Sequence, residues 1–201
     1  MRNSFILFLS LVYFAGCASN SPTSTTTDVC KIFKERYSWY KAAKKTEKRW
    51  KIPVYVSMAI IKQESSFRAD ARPERTKLLG FIPWKRVTSA RGYAQAVDGT
   101  WEMYLNDRGG WFSSRNDFED SVDFVGWYNY KTHKQLRIPL TDARNLYLAY
   151  HEGYGGFEKK SYRKKQWLIK VADRVQARST KYQKQYWGCA KELKKKKFIF
   201  F

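Results

Sequence analysis

Over residues 29–50 the apolar side chains Val29, Ile32, Phe33, Tyr37, Tyr40 and Ala43 return every third or fourth position, with lysines and arginines between them. That period belongs to an α-helix with one buried face, which requires a core to pack on. The spacing predicts a single helix here. Pro53 opens a second, where its missing N–H does no harm, and Val54, Met58 and Ile61 carry it to about Ser65. Further helical patterns cover residues 118–127, 141–151 and 162–185, residues 129–139 separate the first two, and Gly99 and Thr100 begin another helix. Residues 69–91, polar and broken by proline, read as loop or short strands. The expected fold is mainly α, a single helical domain with a small loop or strand region after the second helix.

The chain has 201 residues, and 39 Lys+Arg against 18 Asp+Glu give a formal charge of +21. A hydrophobic content of 43%, including 17% aromatic residues, is enough for a sizeable core and excludes a disordered polycation. The charge suits a polyanionic partner. One stretch, residues 5–14, is strongly apolar and too short to span a bilayer as a mature helix, which excludes a multi-span protein. With Arg2 before it and Ala15, Gly16 and Cys17 after it, this segment resembles a bacterial lipoprotein signal, apart from Phe14 where that family usually has Leu. The resemblance implies a signal peptide over 1–16 and a mature chain beginning at a lipidated Cys17. A plain secretory signal cut near Ala15 or Ala18 is the alternative. Ala18 and Ser19, in place of an Asp after the cysteine, imply anchoring in the outer membrane, facing the periplasm. Residues 17–27 then form a lipidated cysteine and a polar tether, and the folded domain is expected over 28–190.

With Cys17 assigned to lipid, Cys30 and Cys189 remain, at opposite ends of the domain in an oxidising compartment, and are expected to form a disulfide. Beyond them residues 191–201, with four consecutive lysines before Phe198-Ile199-Phe200-Phe201, read as a mobile tail: either a solvated end, or one drawn to anionic head groups or acidic wall material.

Chemistry begins at Glu64. It stands at the end of the second helix, three residues after Ile61 and four after Ile60, beside the apolar stripe. Desolvation and the negative end of the helix dipole both favour its protonated form, as a general acid at neutral pH requires.

Three segments in chain order extend this signal: Glu64-Ser65-Ser66-Phe67, Gly92-Tyr93-Ala94-Gln95 and Ala149-Tyr150-His151-Glu152-Gly153. Together they resemble the lytic transglycosylases, lysozyme-like helical domains that cleave the glycan strands of peptidoglycan. The resemblance spans residues 28–189 and implies that Glu64 is the catalytic acid/base, with Ser65 as a hydrogen-bonding neighbour and Phe67 packed beneath. It implies that Gln95 reaches the sugar, that Gly92 permits a close turn, and that Tyr150 faces Glu64. Tyr93 and His151, from the same motifs, complete the expected substrate-binding set. The reaction it implies needs no cofactor and no metal. His133 and His151, 18 residues apart without a nearby cysteine, do not suggest a metal site either. The export signal and the lack of a nucleic-acid motif argue against nucleic acid as the partner.

His151 and Glu152 depart from the wider family, which commonly has Asn and a small residue there. The interval from Glu64 to Gln95 is longer than the minimal domain needs, and residues 78–84 read as a flap over the cleft or a packed surface loop. Trp84, Trp111, Trp127 and Tyr154 are candidates for sugar stacking. Two other functions fit the motifs. A hydrolytic muramidase on the same fold would need Asp98, Asp107, Asp123 or Glu152 across the cleft from Glu64. A non-catalytic peptidoglycan-binding envelope lipoprotein would keep the fold without turnover.

Overall fold

The computed structural model describes residues 27–78, 82–108 and 112–195, with the backbone alone at 76–78 and 82–85. The segment expected to be a signal, Cys17 and most of the expected tether lie outside the described residues, as do Trp111 and residues 196–201.

Seven helices and one hairpin make up the described chain: α1 Val29–Glu35, α2 Tyr37–Trp50, α3 Val54–Ser65, β1 Arg75–Leu78, β2 Ile82–Arg86, α4 Asp98–Arg108, α5 Phe118–Leu136, α6 Ala143–Glu158 and α7 Gln166–Lys195, with a 3-10 turn at Ser161–Lys164. This is the mainly helical architecture expected. The single helix expected over 29–50 is two, because Arg36 leaves helical geometry at φ −121° and ψ 68°. Asp28 caps α1, its carboxylate accepting from the N–H groups of Cys30 and Lys31.

The third helix is the centre of the domain. Val54, Val56, Met58, Ala59, Ile60 and Ile61 are all buried, and α3 packs against α2, α5, α6 and α7. A helix apolar on most sides is one surrounded by others. Its placement fixes Glu64, near its C-terminus, in the middle of the molecule.

Helix α5 continues well past Trp127, to Leu136. Its polar residues looked like a connection, but they bond back to their own helix: Asn129 Nδ2 donates to Val125 O at 2.8 Å, and Thr132 Oγ1 donates to Tyr128 O at 2.9 Å. Helix α7 likewise overruns the expected boundary at 190. Residues 191–195 are helical, Leu193 is buried, and Tyr37 donates its hydroxyl to Leu193 O at 3.0 Å. The basic tail is therefore shorter than the composition suggested.

Cys30 and Cys189 form the expected disulfide, joining α1 to α7 across a sequence separation of 159 residues. In the chain-entropy account a loop of that length contributes about 5 kcal/mol. The polar stretch after α3 contains an antiparallel pair, β1 with β2, in which Arg75 faces Arg86 and Leu78 faces Ile82. Of the segment read as a flap, residues 79–81 and the side chain of Trp84 lie outside the described residues.

Candidate active site

Ser66 and Phe67 end α3 with two successive left-handed residues, φ 53° and 64°, a conformation that costs non-glycine residues energy. The turn sends Phe67 into the core, 5.7 Å from the Trp39 ring. It leaves Glu64 on the last turn of the helix, partly open to solvent.

A cleft of about 450 Å³ opens there. Glu64, Gln95, Tyr150, His151, Glu152 and Gly153 line it, so all three sequence motifs meet at one place. Phe124 and Tyr128 of α5 supply an apolar wall, and residues between Thr88 and Thr100 form the opposite rim.

The second motif is a tight turn closed by an Arg91–Ala96 bridge. Gly92 has φ +76°, and a Cβ placed on it would lie 1.8 Å from the carbonyl oxygen of Arg115. Only glycine fits. Its N–H donates to Ala71 O at 2.9 Å, and the Gln95 amide donates to both Ala71 O and Gly92 O at 2.9 Å. With both N–H groups of Gln95 so engaged, contact with a ligand falls to its carboxamide oxygen. Tyr150 ties the third motif to this turn, donating its hydroxyl to Ala94 O at 2.6 Å.

Burial pushes the Glu64 carboxyl up to about 7, only partly opposed by a hydrogen bond from Tyr147. Tyr147 and Tyr150 titrate higher than an ordinary tyrosine, first because they are buried and then because Glu64 is close. A carboxyl poised near neutrality can both give and take a proton. Glu152 is its opposite. Burial would raise it, but Lys165 at 2.7 Å, the Ser161 hydroxyl and His151 at 3.0 Å donate to it and hold it at about 2.

Several expected site residues are elsewhere. Tyr93 is buried, with its ring edge-on to Trp39 and Phe118 at 5.5 Å each. Ser65 is buried and donates back to Ile61 O at 3.3 Å, a bond within its own helix. Gly92 shapes the turn without lining the cleft. Trp127 is a core residue whose indole N–H donates to Asp107 at 3.0 Å, and Tyr154 stacks on Tyr128 at 5.1 Å. Asp98 pairs with Arg115, Asp107 with Lys131, and Asp123 accepts from Tyr104 and Trp50. Among the described residues Glu64 and Glu152 are the acids that line the cleft.

The sequence reading missed Tyr147, Phe124 and Tyr128. Tyr147 had one available signal: it stands one helical turn before Tyr150, on the same side of α6.

The domain is helical and built round a central helix that ends in a carboxyl facing a cleft. A family model described as a transglycosylase SLT domain matches residues 5–189. The chain belongs to that family, and a transglycosylase-type function acting on peptidoglycan holds at the family level. No curated protein and no solved structure matches the chain.

Proposed function

We propose that this protein is a peptidoglycan lytic transglycosylase with Glu64 as its single acid/base. The observation that carries the reading is the carboxyl raised to about 7 inside a cleft formed by all three motifs. Protonated Glu64 donates to the oxygen linking N-acetylmuramic acid to N-acetylglucosamine, and the bond from that oxygen to C1 breaks through an oxocarbenium-like transition state. The resulting carboxylate then takes the proton from the muramic acid's own 6-hydroxyl. That oxygen bonds to C1, closing a 1,6-anhydro ring and returning the proton to Glu64. One carboxyl suffices because the nucleophile is part of the substrate, held at high effective concentration.

Tyr147 steadies the ionised form between the two steps through its hydrogen bond to Glu64. Tyr150, anchored on the Ala94 carbonyl, sets the width of the cleft beside the acid. Hydrolysis by inversion would instead need a second carboxylate able to accept a proton from water. Glu152, held at about 2 by three donors, is too weak a base for that task.

The segment over 1–27 supports an address for this activity, with the chain lipidated at Cys17 and held at the outer membrane facing the periplasm. The deciding experiment incubates the purified protein and its Glu64→Gln variant with peptidoglycan sacculi and identifies the released muropeptides by mass spectrometry. Anhydro-muramic acid ends from the native protein, absent with the variant, are the expected result. Reducing ends would replace this reading with a hydrolase.

A further inference from the structure

Helix α6 serves two cavities. It leaves the cleft at Gly153, and one turn further on Phe157 and Glu158 line a second cavity of about 280 Å³, together with Leu136 and Arg137 at the end of α5 and with Lys160 and Tyr162. Helix α6 kinks at Gly153 between them, and along the unbroken α5, from Tyr128 in the cleft wall to Leu136, they lie on the order of 12 Å apart.

The second cavity has an apolar floor and a cationic rim. Phe157 and Tyr162 stack with ring centroids 5.3 Å apart and planes inclined by 30°, both half-buried. Arg137 and Lys160 line the cavity with them, each in left-handed backbone, φ 59° and 55°, at the helix end it caps. Lys159, Arg163 and Lys164 follow along the same turn, and all five cations are exposed. None of the five forms an ion pair among the described residues. Glu158 is the one acid that lines the cavity. Two exposed, unpaired cations lining the cavity with a stacked aromatic pair, and three more in the adjoining sequence, form a surface that calls for a ligand with both apolar bulk and negative charge.

We propose that this cavity binds the carboxylate-bearing peptide stems of the strand whose sugars occupy the cleft. The inference rests on the transglycosylase reading, since it takes the glycan in the cleft as given. Geometry favours a tethered ligand: an extended peptide of four residues spans about 14 Å, enough to cover the interval between the cleft and the second cavity. Stem carboxylates then meet Arg137 and Lys160, and the aliphatic parts of the stem lie on Phe157 and Tyr162. Binding a branch of the substrate far from the reacting bond makes the enzyme prefer strands that still carry their peptides.

The test compares intact sacculi with glycan strands stripped of stems by an amidase. The double variant Arg137→Gln/Lys160→Gln should lose about 10-fold in kcat/KM on the intact material, chiefly through KM, and keep the native rate on stripped strands. Glu158→Gln, which removes the one opposing charge, should lower KM on the intact material, an opposite shift that a misfolded variant could not produce. Equal behaviour of native and double-variant protein on both substrates would overturn the proposal. If the native protein cleaves neither substrate, the transglycosylase reading is what has failed. The cavity is then judged by titrating the native protein with stem peptides released by the amidase: binding weakened in the double variant upholds it, and no binding by the native protein overturns it.

Discussion

Glu64 and Glu152 border the same cleft from α3 and α6, yet one is raised to about 7 and the other lowered to about 2. Both are desolvated, although Glu64 keeps part of its surface open to the cleft. What separates them is the number of donors: one tyrosine hydroxyl for Glu64, against an ammonium, a hydroxyl and an imidazole for Glu152. Burial turns a carboxyl into an acid only when its ionised form is left short of partners. With partners supplied, the same burial yields a fixed anion that holds structure together. Here it joins the cleft wall at His151 to Ser161 and Lys165 beyond the Gly153 kink.

The largest effect should come from Glu64→Gln, which keeps the shape and removes the proton. Cleavage of sacculi should fall by about 10³-fold, measured as muropeptide release. In the native protein the active form is the protonated one, so kcat/KM should decline as pH rises through about 7. The variant should also be more stable at pH 8. An acid whose folded pKa exceeds its ordinary 4.5 binds more protons folded than unfolded, so its contribution to stability falls as pH rises from 4.5 to about 7. Thermal melts should show a gain of about 2 kcal/mol at pH 8 that vanishes below pH 4.5.

Glu152→Gln should do the reverse. Its folded pKa lies below its ordinary 4.5, so it stabilises the fold above that pH, and the contribution is lost as pH falls through about 2. The variant should lose about 1–2 kcal/mol at pH 7, a modest figure because Lys165 and His151 can turn to water. Activity should fall less than about 10-fold, since the wall loosens but the acid stays. A loss as deep as that of Glu64→Gln would break the comparison and make Glu152 the second carboxylate of a hydrolase.

How much of this was legible depends on the kind of signal. Glu64, Gln95 and Tyr150 could be read from sequence because their residue types fall in a recognisable order, and the structure brings them to one cleft. The disulfide was legible because assigning Cys17 to lipid, as an expectation, leaves Cys30 and Cys189 to each other. Phe124, Tyr128 and Tyr147 were not, since an aromatic residue at helical spacing looks the same whether it fills the core or lines a cavity within it. That difference is made by how α5 and α6 dock, which local periodicity does not contain. Tyr93 failed in the other direction: it lies in a motif, but Trp39 and Phe118, stacked 4.0 Å apart, enclose it. Element ends were misread wherever polar residues bonded back to their own helix, as at Asn129 and Thr132.

Tyr147 offers the smallest and sharpest test of the contrast between the two acids. Its hydroxyl gives Glu64 the one side-chain hydrogen bond that favours the ionised form, whereas Glu152 has three. Tyr147→Phe keeps the buried ring and deletes that donor, leaving Glu64 more like a carboxyl in a purely apolar site. The fall in kcat/KM should then move to higher pH, by about one to two units, the size expected for losing one hydrogen bond to a charged group. Below the native midpoint the variant should lose only a few-fold in rate, because protonated Glu64 still faces the glycosidic oxygen. The first step should bear that loss, since a more basic Glu64 gives up its proton less readily, whereas the second, in which the carboxylate takes a proton, gains a stronger base. An unmoved limb would mean that burial alone sets the acid, and that donor number does not distinguish Glu64 from Glu152.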